Sequence, residues 1–390
     1  MSGPGDADEP GSPRANTRRD AVEDPIHAAD EGRLRGASPA TVRGALADGD
    51  PLPGTAGFAG AVDGRVVRDA LGRQPVFTEA DDPETWSFDP AALSDPDPVP
   101  AGHARDSDGD ERVWSLPDPD PATDERAAVR AVREGVRGAV DDTATGGLAV
   151  AFSGGVDSAA LAARLDAPLY VAGFPDSHDV EAARSGAAKL DRELRVVELT
   201  HGDIERAVPE VAAATGRTDA MDVSIALPLY LVAERAAADG YDRLAVGQGA
   251  DELFGGYAKV ARAPEDERVA ADTVRGARRE VVETLPDQLQ RDVLALRGAG
   301  VEPVAPLLDD RVVAAALDLP GDLLVTDRGE RKWALRLAVR EWVPDPVAFR
   351  EKKAVQYGSL VSRELDRLAR RAGFKRRMDD HLGRYVDSLC

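Results

Sequence analysis

The sequence predicts an α/β fold: a parallel sheet with helices on both faces, a small β-rich module before it and a mostly helical part after it. Three observations carry this. Beyond about residue 125, short apolar runs alternate with amphipathic stretches of helical period, the pattern left by right-handed strand–helix–strand crossovers. Two of those apolar runs stop abruptly in glycine-rich loops, SGGVDS at 153–158 and GQGADE at 247–252. Before about residue 118, by contrast, the apolar stretches are short and separated by turn residues.

Taken in order, residues 1–33 are rich in Gly, Pro and Asp without periodicity and are expected to be disordered. Residues 34–118 form the β-rich module, with GFAGAV and RQPVF as strand candidates. SDPDPVPAG is proline–aspartate punctuation within it, and SLPDPDPATDE is a linker at its end. The main domain then runs over 119–390. ERAAVRAVREGVRGAV reads as a helix, GLAVAF as a buried strand and DSAALAARLD as a helix. PLYVAGF is a strand, DVEAARSGAAKL a helix and ELRVVELT a strand; two helical stretches precede the strand DRLAVG. From about 256 onward the pattern is almost wholly helical.

Composition narrows the setting. The 390 residues allow two or three domains, and a hydrophobic share of 43% is enough for real cores. Acidic residues outnumber basic ones 71 to 49, for a net charge of −22, and only six of the basic residues are lysines. Such a surface suits a halophilic cytoplasmic protein in molar salt, or an acidic protein from a GC-rich genome. It disfavours broad binding to nucleic acid or to an anionic membrane. No apolar segment reaches the ~18 residues of a membrane span, and the N-terminus has no hydrophobic signal core. The single cysteine is Cys390, which excludes disulfide scaffolds and cysteine-rich metal sites, and the five histidines show no metal-ligand spacing.

The two glycine-rich loops carry the chemistry. In an open parallel sheet, ligands bind beyond the carboxyl ends of the strands, where both loops sit. Gly154 and Gly155 let backbone N–H groups approach an anion, Ser153 and Ser158 can donate hydroxyls, and a helix starting near Asp157 adds its positive dipole end. Asp157 would repel a bare phosphate but suits a Mg²⁺ that bridges it, and Asp251 can supply a second carboxylate. A capped turn, with Ser153 or Asp157 as helix N-cap, fits the same residues.

SGGVDS after a strand resembles the pyrophosphate loop of the N-type ATP pyrophosphatases. GQGADELFGGY at 247–257 resembles the GEGADELFGGY-type segment of asparagine synthetases, GVEPVAPLLD at 300–309 is similar to their GVEARVPFLD segment, and FREKKAVQYGS at 349–359 to their arginine-x-lysine segment. The resemblance spans about 145–360 in the family's order. It implies ATP and Mg²⁺, a carboxylate activated as its adenylate with release of pyrophosphate, and attack by ammonia or an amine. Carried over, Ser153, Gly154, Gly155, Asp157 and Ser158 would hold the pyrophosphate, and Asp157 and Asp251 the Mg²⁺. Ala151, Ala172 and Gly247 would lie against the nucleotide, and Lys352 would neutralise charge on the departing polyphosphate.

The pattern departs from the family in two places. RVVRDALGRQPVF and WSFDPAALSDPDPVPAGH resemble parts of the family's glutaminase domain, but residue 2 is serine and the module has no residue able to act as a thiolate nucleophile. The module thus reads as a shortened relic, and ammonia would come from a separate source. Asparagine synthetases carry glutamate at the position of Gln248, and the β-lactam synthetases carry tyrosine, paired with the glutamate matching Glu302. Gln248 cannot take a proton, which leaves Glu302 as the candidate base. The resemblance makes asparagine formation the default and leaves two alternatives. One is a tRNA-modifying ATP pyrophosphatase, for which the basic run RLARRAGFKRRM at 367–378 speaks; the other is a non-catalytic relative.

Overall fold

The computed structural model describes Met1 and residues 33–175, 177–263, 265–350 and 357–390. The expectation of disorder over 1–33 thus falls almost wholly outside the described residues, as does Lys352.

The N-terminal module is antiparallel throughout. It comprises β1 (Leu34–Arg35), α1 (Pro39–Asp48), β2 (Ala59–Val62), β3 (Arg65–Arg68), β4 (Phe77–Glu79), β5 (Asp82–Ser87), β6 (Pro96–Pro98), β7 (His103–Asp106) and β8 (Gly109–Arg112). One sheet has the order β1-β2-β3-β7-β8, the other β5-β4-β6. α1 starts on Ser38, whose hydroxyl accepts the Thr41 N–H, with Pro39 pre-set in the first turn; it stops on left-handed Gly49. Its buried Val42 and Ala45 pack with Phe58, Val62, Val67, Ala104 and Trp114 on one face of the larger sheet. Ala59, Val66, Val76 and Val99 fill a second core, with Trp86 and Phe88 against it. The SDPDPVPAG segment, expected to be mere punctuation, contributes β6. That strand lies at a sheet edge, the one place where its prolines, lacking N–H groups, do little harm.

The main domain continues with α2 (Glu125–Asp141), β9 (Leu148–Ala151), α3 (Val156–Ala162), β10 (Leu169–Gly173), α4 (His178–Lys189) and β11 (Leu194–Glu198). Then come α5 (His201–Thr215), α6 (Ala220–Ala238), β12 (Arg243–Ala245), α7 (Ala250–Leu253), α8 (Ala258–Ala261), α9 (Val274–Glu283) and α10 (Leu285–Gly298). The chain ends with β13 (Glu302–Val304), α11 (Asp310–Leu317), α12 (Gly321–Leu324), α13 (Trp333–Val339), α14 (Asp345–Ala348), α15 (Tyr357–Arg371) and α16 (His381–Leu389). The five strands pair in parallel in the order β11-β10-β9-β12-β13.

Strand periodicity explains why both faces are covered. Leu148, Val150, Leu169 and Val171 point into a core shared with Val129, Val132 and Val136 of α2. The alternate residues Ala149, Tyr170, Ala172 and Leu244 point the other way, onto Ile204 and Val208 of α5, Leu227 and Leu231 of α6 and Leu365 of α15. The main departure from the sequence reading is β13, which interrupts the expected helical run. It is a short edge strand with Pro303 at its centre, so neither length nor periodicity announces it. Among the described residues no helix is long and apolar enough to cross a membrane.

Candidate active site

The central strand β9 delivers the first loop. Phe152 is fully buried and its N–H donates to the Tyr170 carbonyl at 2.7 Å, so the chain stays in the sheet until Ser153. Gly154 then takes a left-handed φ of 75°, and a side chain there would overlap the Ala182 carbonyl. The loop is braced internally. Ser158 Oγ accepts from the Ser153 N–H at 3.2 Å and donates to the Gly155 carbonyl at 3.3 Å, and the Gly155 N–H lies 3.4 Å from Ser153 Oγ. α3 begins with Gly155 as its cap and makes no side-chain capping bond. The capped-turn reading of Ser153 or Asp157 is therefore not what the chain does, and the first N–H groups of α3 have no side-chain cap to hold them.

β12, next to β9, delivers the second loop. Gly247 sits against the first: a Cβ there would come within 2.9 Å of Asp157 Cβ. Asp157 and Asp251 thus meet, and a lysine joins them. Lys332, with 2% of its surface exposed, reaches Asp157 Oδ2 at 2.6 Å and Asp251 Oδ1 at 2.8 Å. It enters in a left-handed conformation (φ 59°) just before α13, and Gly256 makes room, since a side chain there would overlap both Asp251 and Lys332. Burial alone would lower the lysine's pKa; the two carboxylates outweigh it and hold the ammonium above its ordinary value. Glu252, one residue on, is buried and accepts the Tyr257 hydroxyl at 2.6 Å. Its pKa is pushed up by burial and then by Asp251.

The cluster fits a hard cation beside phosphates. Asp157 Oδ1 is buried without a hydrogen-bond partner, a carboxylate oxygen that a metal or a donor would satisfy. Among the described residues no group of three or more His, Cys, Asp or Glu converges to hold a metal. A cation at this carboxylate pair would therefore complete its shell from substrate oxygens and water, as Mg²⁺ does beside phosphates.

The remaining candidates scatter. Ala151 is half-buried at the end of β9, while Ala172 is 4% exposed with its side chain in the core toward α5 and α6. Gln248 is half-buried and donates its amide to Asp292 Oδ2 of α10 at 2.6 Å. Asp292 in turn accepts Arg291 Nε at 2.8 Å, and Arg291 continues to Asp222 of α6 at 2.9 Å. Glu302 is not brought to Gln248. It lies level with Arg243 at the start of β12, and Arg297 holds it at 3.0 and 2.7 Å. Arg35 of the N-terminal module adds a 3.5 Å contact. Register explains this placement: Gln248 stands beyond the carboxyl end of its strand, and Glu302 at the amino end of its own. Near the undescribed 351–356, Arg350 Nη1 donates at 2.9 Å to the same Ala182 carbonyl that crowds Gly154.

Sequence reasoning missed Lys332 and Asp292. The signal for Lys332 was its rarity, as one of six lysines among 49 basic residues. Asp292 had none, because a lone acid on an amphipathic helix reads as surface.

Fold and site together define an α/β protein whose two neighbouring strand-end loops converge on one carboxylate–lysine cluster. The family model for asparagine synthase matches residues 131–282 and 266–388, and the chain belongs to that family. It is 32% identical over 266 residues to the putative asparagine synthetase [glutamine-hydrolyzing] 1 of Methanocaldococcus jannaschii, a stretch covering 59% of this chain and 49% of the relative. It is 30% identical over 222 residues to asparagine synthetase [glutamine-hydrolyzing] of Gallus gallus, covering 53% and 39%. To asparagine synthetase B [glutamine-hydrolyzing] of Escherichia coli it is 26% identical over 190 residues, covering 48% and 34%. These matches span half or less of the relatives' own lengths.

Proposed function

We propose that the chain is an ATP- and Mg²⁺-dependent amide ligase that activates a carboxylate as its adenylate. A carboxylate is a poor electrophile. In this reading its oxygen attacks the α-phosphorus of ATP, the bond from that phosphorus to the bridging oxygen breaks, and pyrophosphate leaves. Ammonia or an amine then attacks the acyl carbon, AMP departs, and the nitrogen's proton passes to solvent or to a base. The observation that carries this reading is the meeting of Asp157, Asp251 and Lys332 beside the Ser153–Ser158 loop. Asp157 and Asp251 would hold Mg²⁺, which would offset phosphate charge. Lys332 would add a fixed positive charge where charge builds on the leaving group. The uncapped start of α3 and the loop backbone would face the phosphates. The relatives are named for glutamine-hydrolysing asparagine synthesis, so aspartate with ammonium is the first pair to try. Gln248, which cannot act as a base, argues for a different acceptor, with its amide as a specificity group.

The test is pyrophosphate release from ATP and Mg²⁺ in high salt, screened across amino and other carboxylic acids with ammonium. The expected result is carboxylate-dependent release of pyrophosphate and AMP in equal amounts, lost by ~10²-fold or more in Asp157→Asn. Because the two aspartates serve one cluster, Asp157→Asn with Asp251→Asn should cost little more than either alone. Formation of ADP, or turnover indifferent to every carboxylate, would end this reading.

A further inference from the structure

The N-terminal module grips the two segments that carry the second loop's supports. Arg73, 3% exposed in the turn after β3, donates Nε to Asp69 Oδ1 at 2.8 Å, and Nη1 to both the Leu308 carbonyl and Asp310 Oδ1 at 2.7 Å. Asp310 is the first residue of α11, and its other oxygen accepts the Thr55 N–H at 2.7 Å, so the module occupies both oxygens. The Leu308 side chain, 1% exposed, lies directly on Gly249, whose φ is 86° and where any Cβ would overlap it. Gly249 stands between Gln248 and Asp251. A second arginine grips the other support. Arg68 Nη2 donates to the Pro286 carbonyl at 3.2 Å, at the start of α10, the helix whose Asp292 holds Gln248.

We infer that Arg73 is a positioning residue of the reaction site, fixing the 247–252 loop through Leu308, so that the N-terminal module works as a clamp on that loop. Mere adhesion between the two parts could be apolar. Here a planar guanidinium fork is committed in fixed directions, one arm to the backbone of the residue whose side chain seats Gly249. The inference rests on the reading of that loop as part of the reaction site, but its principal test does not depend on turnover.

That test is amide hydrogen exchange on the full chain in wild type, Arg73→Met, Arg73→Lys and Leu308→Ala. In Arg73→Met, exchange over 247–253 should be ~10-fold faster or more, while β9, β10 and the 153–158 loop keep wild-type rates. Arg73→Lys, which keeps the charge but loses the fork, should fall between. Leu308→Ala should loosen 247–253 while β2, β3 and β7 stay protected. Faster exchange in the module with 247–253 unchanged would overturn the inference. If Arg73→Met loosens every segment alike, Leu308→Ala decides: unaltered exchange over 247–253 would refute the clamp. If pyrophosphate release is found, Arg73→Lys should lower kcat with the KM for ATP within ~2-fold; a chain that releases none fails the functional reading and leaves the exchange result to decide this one.

Discussion

Gln248 shows how one contact decides what a substitution can do. Its amide donates to Asp292 Oδ2 at 2.6 Å, so Gln248→Glu would set two carboxylates at hydrogen-bond distance. Two like charges 4 Å apart repel by about 4 kcal/mol at an effective dielectric of 20, enough to make the pair share a proton. The shared carboxyl would have a folded pKa above its unfolded value. Its stability is then present at low pH and lost as pH rises through the folded pKa. Gln248→Glu should therefore melt near wild type at pH 5 and several degrees lower at pH 8, and adding Asp292→Asn should restore the pH 8 value. An equal loss at both pH values would point to shape and not charge. In the same variant, aspartate-dependent AMP formation is not expected to appear, because the new carboxylate would be paired to Asp292 and unable to act as a free base. Asp157 and Asp251 were legible because each lies in a glycine loop after an apolar run. Lys332 was not, since its approach to Asp157 links residues 175 apart in the chain, with no periodicity to report it. Glu302 stands away from Gln248 for a related reason: resemblance names residues, but the register of a three-residue strand decides which end of the sheet they occupy.

Elements were most legible where burial leaves a pattern. The continuous apolar runs of β9 and β10 and the apolar stripes of α2 and α5 each announce their class, whereas β6 and β13 are short edge strands that contain proline and announce nothing. The basic run at 367–378 is the case where the sequence left two readings, a nucleic-acid face or a helix offset by acids. The structure gives it an internal partner. Asp366 on α15 accepts Arg376 at 2.7 and 3.1 Å and His381 at 2.8 Å, and Arg370 lies 3.1 Å away. Hydrogen bonding from Arg376 first, and then from His381, holds this carboxyl well below the usual carboxylate range despite its desolvation. A depressed folded pKa contributes stability above the unfolded pKa of about 3.9, and that contribution is lost as pH falls below it. Because Arg370 and Arg376 are 47% and 69% exposed, solvent screens the cluster and its contribution is small. Asp366→Asn should accordingly speed amide exchange in α16 at pH 7, and the difference from wild type should shrink toward pH 3. Exchange in α16 that ignores the substitution at pH 7 would mean that packing of Tyr385 and Val386 alone holds the terminal helix.

At the scale of the whole molecule, the surplus of acid sets up a competition that salt can decide. The chain carries 71 acidic residues against 49 basic ones, and surface pairs such as Arg43–Asp63 at 2.8 Å, Arg164–Asp141 at 2.7 Å and Arg206–Glu234 at 2.6 Å engage only part of that acid. Exposed pairs contribute roughly 0–1 kcal/mol each and weaken as salt rises. The unpaired excess acts oppositely: it repels itself in the compact state, and screening relieves that repulsion. The Debye length falls from about 10 Å at 0.1 M to about 3 Å at 1 M. Long-range repulsion from a net charge of −22 is therefore screened sooner than contacts under 3 Å, and the balance favours stability in salt. The melting temperature should rise steeply between 0.1 and about 1 M KCl and then flatten. The steep part should shrink when several exposed aspartates that form no ion pair among the described residues, such as Asp48 and Asp108, are replaced by asparagine, because the repulsion to be screened is then smaller. A melting temperature that falls with KCl over the same range would show the ion pairs outweighing the net charge, and the acidic surface would then be no adaptation to salt.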